Sequence, residues 1–112
     1  MGMTNYPIQG VGIDVRLLNW KDPAYLEEKI DECDEFYCEL QPNGVIACID
    51  IATDEHNTTY LIIHNYRAYQ RTPFDSLESL EEFFVKVIAP HVHNTHDEII
   101  SLIDNIDTTY YG

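Results

Sequence analysis

The sequence predicts a two-layer α+β domain in the order β-α-β-β-β-α-α, with an antiparallel meander sheet and helices packed on one of its faces. Three observations predict it. Apolar residues alternate along residues 11–18, an Asn-Gly pair separates two β-like runs, and apolar stripes at helical spacing follow capping residues. The 112 residues contain no internal repeat or linker, so a single domain over residues 1–112 is expected.

The first strand and the first helix follow from local patterns. Apolar side chains stand at positions 11, 13, 15 and 17, which is the period of a half-buried strand. Asp22 then offers an N-cap and Pro23 fits the first helical position, so the first helix is expected from Pro23 to Asp34. Residues 1–10 show no periodicity and are expected to form a loose arm, and residues 108–112 a frayed tail.

A hairpin is predicted next, because Asn43-Gly44 is a strong turn signal between two β-like runs. If these two residues form the loop, Pro42 faces Val45 and the numbers of opposed residues sum to 87. An inner, wholly apolar face results, made of Phe36, Cys38, Leu40, Ala47, Ile49 and Ile51. Cys38 and Cys48 then point to opposite faces, so no disulfide joins them. The odd number of cysteines and the lack of a secretion signal favour reduced thiols and a cytoplasmic location.

A third meander strand is expected from Thr59 to about Tyr69, with its inner face left open. The inner set is either Tyr60, Ile62, His64 and Tyr66, or Leu61, Ile63 and Asn65. Asp75 with Glu78 predicts the start of the second helix. Thr95 with Glu98 predicts the start of a last helix. The apolar stripe of that last helix is Ile99, Leu102, Ile103 and Ile106.

The charge excludes two classes of partner. The chain has 20 acidic and 6 basic residues, for a formal charge of −14. Such a charge repels nucleic acid and anionic membrane surfaces, and no apolar run approaches the ~20 residues that span a bilayer. Neither direct nucleic-acid binding nor membrane binding is therefore expected.

The acidic residues are concentrated most strongly at positions 27–35. Six carboxylates stand there: Glu27, Glu28, Asp31, Glu32, Asp34 and Glu35. On a helix they give about one net charge per 2.7 Å, against about one per 1.7 Å of duplex DNA. The leading hypothesis is therefore an acidic, non-enzymatic protein that binds and inhibits a basic nuclease or nucleic-acid-binding protein. Nucleic-acid mimics and immunity proteins share this composition, which is an analogy of charge alone.

The alternative is a structural or regulatory homodimer whose acidity keeps it soluble. In the register above, Tyr37 and Ile46 lie on the second sheet face, which is too apolar to be left wholly exposed. These two residues are the expected dimer contact.

The remaining signals for chemistry are weaker. His91, His93 and His96 leave a metal-binding protein as a less favoured alternative, because their spacing is loose and His96 lies at the positive end of a helix dipole. A cysteine nucleophile with His64 as its base has no supporting motif. No catalytic, cofactor-binding or metal-ligating residue is therefore predicted.

Overall fold

The computed structural model describes residues 5–32, 35–64, 74 and 76–111. Within them lie a five-stranded antiparallel sheet and three α-helices, which confirms the α+β class. The strands are β1 (Asn5–Asp14), β2 (Glu35–Leu40), β3 (Ile46–Thr53), β4 (Thr59–His64) and β5 (Asp104–Tyr111), and the helices are α1 (Pro23–Glu32), α2 (Leu77–Ile88) and α3 (His96–Leu102). The strand order across the sheet is β2-β3-β4-β1-β5.

The helix starts follow local capping chemistry. Asp22 caps α1, since its carboxylate accepts a hydrogen bond from the backbone N–H of Ala24 at 3.2 Å. The Thr95–Glu98 capping box of α3 is confirmed in both directions. The prediction for α2 was wrong by one residue, because the hydroxyl of Ser76 caps the helix by accepting from the N–H of Ser79.

The two chain ends are the largest correction to the predicted topology. The expected loose arm and frayed tail pair with each other, with Pro7 opposite Thr109 and Ile8 opposite Thr108. The predicted first strand therefore starts earlier and ends at Asp14, and residues 15–17 form a 3₁₀ turn. Ile106, expected on the last helix, lies in β5, because the threonines and aromatic residues beside it favour an extended chain once a partner strand is present.

The turn between β3 and β4 fixes β5 against the sheet. The buried carboxylate of Asp54 accepts hydrogen bonds from the N–H groups of His56 and Thr58 and from the hydroxyl of Thr108. Burial acts to raise the pKa of Asp54, but these donors hold it below the ordinary value. The tail is thus attached to the domain by side-chain as well as backbone contacts.

The hairpin register differs by one residue from the prediction. Gln41 pairs with Val45 around a three-residue loop, with its N–H donating to the Val45 carbonyl at 2.9 Å. Proline explains the difference, since Pro42 has no N–H to donate in the two-residue loop but suits the second position of a type I turn. Gly44 then takes the left-handed conformation that closes the loop, with φ of +83°.

The register places Cys38 directly opposite Cys48, and the two form a disulfide, so the prediction of separate, reduced thiols is wrong. The slip also overturns the predicted dimer contact. Tyr37 turns toward the helices, where its ring lies 5.9 Å from that of Phe83, whereas Ile46 stays on the opposite side of the sheet. Leu40, expected in the core, is 69% exposed.

One core lies between the sheet and the helices. Leu61 and Ile63 belong to it, which answers the question left open for β4. The predicted residues Phe36, Ala47 and Ile49 belong to it as well. The helices contribute Phe83, Phe84, Val85, Val87, Ile88 and Ile99. We call the other side of the sheet the second face, and on the hairpin it carries Cys38, Leu40, Ile46, Cys48 and Asp50.

Candidate functional site

The predicted acidic surface is exposed along α1. The side chains of Glu27, Glu28, Asp31 and Glu32 are all exposed, and α1 buries no residue fully. Among the described residues, no ion pair or side-chain hydrogen bond engages these four carboxylates. We call this set the α1 carboxylates.

An aromatic cluster beneath α1 holds the helix in place. The Tyr25 ring stacks on the His91 imidazole with ring centres 4.6 Å apart, and Phe36 meets both rings edge-on. The Lys29 ammonium lies 5.7 Å from the centre of the Tyr25 ring, so the one cation among these acids faces inward. The outer side of α1 therefore carries exposed carboxylates, and on its inner side the Tyr25 ring stacks on His91.

Two cations outside α1 pair with other carboxylates. Arg16 binds Asp14 at 2.8 Å, and Lys86 binds Glu39 at 2.7 Å. The hydrogen bond from Arg16 lowers the pKa of Asp14, and the hydrogen bond from Lys86 lowers that of Glu39. These bases are engaged elsewhere and do not offset the charge of α1.

The predicted partner-binding set is divided by the fold. Asp34 lies outside the described residues. Glu35 opens β2, where it pairs across the sheet with Asp50, and its carboxylate lies 3.3 Å from the Cys38 sulfur. Among the described members of the set, the α1 carboxylates therefore form one surface, and Glu35 lies apart from them on β2.

The three histidines of the less favoured metal-binding alternative do not form a group of ligand atoms. His91 is stacked under α1, while His93 and His96 are exposed. Among the described residues, the group whose ligand atoms approach one another as metal ligands would is Glu35, Cys38 and Cys48, with all three atoms within 4.8 Å. The predicted register did not bring this group together, because it placed the two cysteines on opposite faces. Since Pro42 has no N–H for the two-residue loop, a three-residue loop could have been predicted, and that loop places Cys38 opposite Cys48.

Because His91 is stacked under α1, we expect the free energy of unfolding to depend on pH. Burial lowers the pKa of His91, and the nearby Lys29 and Lys21 add to the effect. As the pH falls through about 6.5, the unfolded chain takes up this proton before the folded chain does, so the free energy of unfolding falls. We expect urea titrations to show a larger loss of stability between about pH 7.5 and pH 5.5 for the wild type than for His91→Phe.

His93→Gln is the matched control for this experiment, because that side chain is exposed. It should keep the pH dependence of the wild type. Equal pH dependence in the wild type and in His91→Phe would show that the imidazole does not couple proton uptake to folding.

Within the described residues, no helix combines the length and the apolar content that crossing a bilayer requires. No protein-family model matches the sequence, and neither the curated proteins nor the solved structures gave a significant match.

Proposed function

We propose that this chain is a small, acidic, non-enzymatic interaction protein that binds and blocks a basic protein, such as a nuclease or another nucleic-acid-binding protein. The observation that carries the proposal is the exposure of the α1 carboxylates without a cationic partner among the described residues. Like charges at this spacing repel one another and cost stability. A basic partner would relieve that repulsion on binding.

The mechanism would be occupancy of a cationic surface. A net charge of −14 steers a basic protein toward the chain over distances comparable to the Debye length, about 8–10 Å at physiological salt. The α1 carboxylates then occupy the positions that phosphates would take on the partner. Cytoplasmic location and the absence of direct nucleic-acid binding belong to the same proposal.

Neutralising α1 tests the proposal. The partner is first captured from the native host at low and moderate salt. The variant then carries Glu27→Gln, Glu28→Gln, Asp31→Asn and Glu32→Gln. We expect its association rate with the captured protein to fall about tenfold or more at low salt, with a shallower salt dependence and a smaller change in dissociation rate. Stopped-flow measurements over a salt series provide both rates.

The control removes the same charge elsewhere, through Glu78→Gln, Glu82→Gln, Asp97→Asn and Asp104→Asn. All four side chains are exposed and lie outside α1. This variant should lose less of the association rate than the α1 variant. An unchanged rate and salt slope in the α1 variant would make α1 a solvated face and contradict the proposal.

A homodimer is the second candidate function, and one observation favours it. Leu40 and Ile46 form a cross-strand pair on the second face at the edge of the sheet, 69% and 57% exposed. Leu40 lies on the edge strand β2 and Ile46 on its neighbour β3, and an exposed apolar pair beside a sheet edge is suited to an isologous contact. Under this alternative the chain self-associates, and neutralising α1 leaves that association intact.

A further inference from the structure

The disulfide on the second face belongs to a larger group of metal-ligand atoms. Cys38 and Cys48 are directly opposed on β2 and β3, with their Cα atoms 4.2 Å apart. Glu35 lies three residues before Cys38 and places a carboxylate oxygen 3.3 Å from its sulfur. Two adjacent strands therefore bring two sulfurs and one carboxylate to a single point.

We propose that the reduced chain binds one zinc ion through the thiolates of Cys38 and Cys48 and the carboxylate of Glu35. Thiolate sulfur and carboxylate oxygen are both zinc ligands, with bond lengths of about 2.3 and 2.0–2.2 Å. Around a tetrahedral ion these bonds put neighbouring sulfur and oxygen ligands about 3.5 Å apart. The observed 3.3 Å between the Cys38 sulfur and the Glu35 oxygen is close to that spacing, so the carboxylate needs little movement. The two sulfurs are bonded to each other in the disulfide and must move apart after reduction to bind the ion as separate ligands.

The surroundings suit a dication that enters from solvent. Glu35 and Cys38 are exposed and Cys48 is half-buried, so the ligands are accessible from outside the sheet. Asp50 pairs with Glu35 across the strands, so its carboxylate adds negative charge beside the ligands. One oxygen of this carboxylate lies 3.4 Å from the Nε2 atom of His64. The backbones of β2 and β3 hold Cys38 opposite Cys48 before the ion binds, and water can take the fourth coordination position of the zinc.

Oxidation and zinc binding exclude each other at this site. A dithiol reductant donates two electrons and two protons to the disulfide, which becomes two thiols while the reductant becomes a disulfide. Zinc then replaces the two thiol protons and releases them to solvent. The oxidised chain has no thiolate to offer. A reducing cytoplasm, as predicted from the sequence, would favour the zinc form.

Zinc titration of the full chain against a chromogenic chelator tests the site. Anaerobically reduced protein should bind one zinc ion at least about a hundredfold more tightly than the oxidised protein. Cobalt, used as a spectroscopic substitute, should give the sulfur-to-cobalt charge-transfer absorption of two thiolates. No tight binding by the reduced protein, or equal binding by the oxidised protein, would overturn the proposal.

Variants separate this site from adventitious thiol binding. Cys38→Ser with Cys48→Ser should abolish tight binding and the charge-transfer band, whereas Cys33→Ser should retain both. Glu35→Gln should weaken zinc binding about tenfold, and the matched neutralisation Glu55→Gln should not. Binding that persists in the double cysteine variant would contradict the proposed ligands.

Circular dichroism makes the test independent of how stable the reduced chain is. If reduction unfolds the protein, added zinc should restore the folded spectrum, because the ligands come together only in the folded sheet. Zinc binding without recovery of the fold, or with no effect of Glu35→Gln, would assign the affinity to free thiols and overturn the site.

Discussion

Replacing Phe84 with alanine is expected to lower the free energy of unfolding by about 3–5 kcal/mol. Phe84 lies on α2 and is fully buried within the core between the helices and the sheet. The substitution removes a whole ring from close-packed surroundings, and the cavity left behind adds to the lost burial. For a domain whose total stability is about 5–15 kcal/mol, this is a large fraction, and chemical denaturation should show it as an earlier midpoint.

Leu77→Ala is the control on the same helix. Leu77 is 61% exposed at the start of α2, so its removal should change stability by about 0.5 kcal/mol or less. If both variants lose similar amounts of stability, α2 does not cover the sheet as described. The contrast between the two therefore tests the docking of α2 without reference to function.

Features set by neighbouring residues were predictable from the sequence. The cap at Asp22 and the capping box of Thr95 and Glu98 depend on groups within three residues of each other, and both are confirmed. The α+β class followed from the same local patterns of periodicity and turn residues.

Features set by distant residues were not predictable in the same way. Strand β1 is placed between β4 and β5 by hydrogen bonds to segments roughly 50 and 100 residues away, as in the pairs of Gly10 with His64 and with Ile106. Residues 5–10 and 104–111 have no strong strand pattern of their own. Each segment forms a strand because it pairs with the other.

The candidate sites show the same division. Exposure of the α1 carboxylates could be expected from their charge, because an unpaired carboxylate is costly to bury. The ligand group at Cys38 depended on the hairpin register, and the register depended on one absent N–H at Pro42. A slip of one residue moved Tyr37 to the helices and brought the cysteines together.

Gly10→Ala is expected to lower the free energy of unfolding by about 3 kcal/mol or more. A Cβ atom at this position would overlap the backbone carbonyl of Ile63 and lie 2.9 Å from the Cα of His64. Both obstacles are backbone, so the clash cannot be relieved by a side-chain rotation. Either β1 or β4 must move, and the hydrogen bonds between these strands are lost.

Gly44→Ala is the control, because it isolates the cost of backbone conformation. Gly44 has φ of +83°, and no atom lies within 4 Å of the position that an alanine methyl group would occupy, so alanine there should cost only about 1–2 kcal/mol. Hydrogen exchange distinguishes the two variants further. Gly10→Ala should lose protection at the amides of β1 and β4, whereas Gly44→Ala should keep it. Stability of Gly10→Ala within about 0.5 kcal/mol of the wild type would mean that residues 5–10 are the loose arm expected from the sequence, and that β1 does not hold the sheet together.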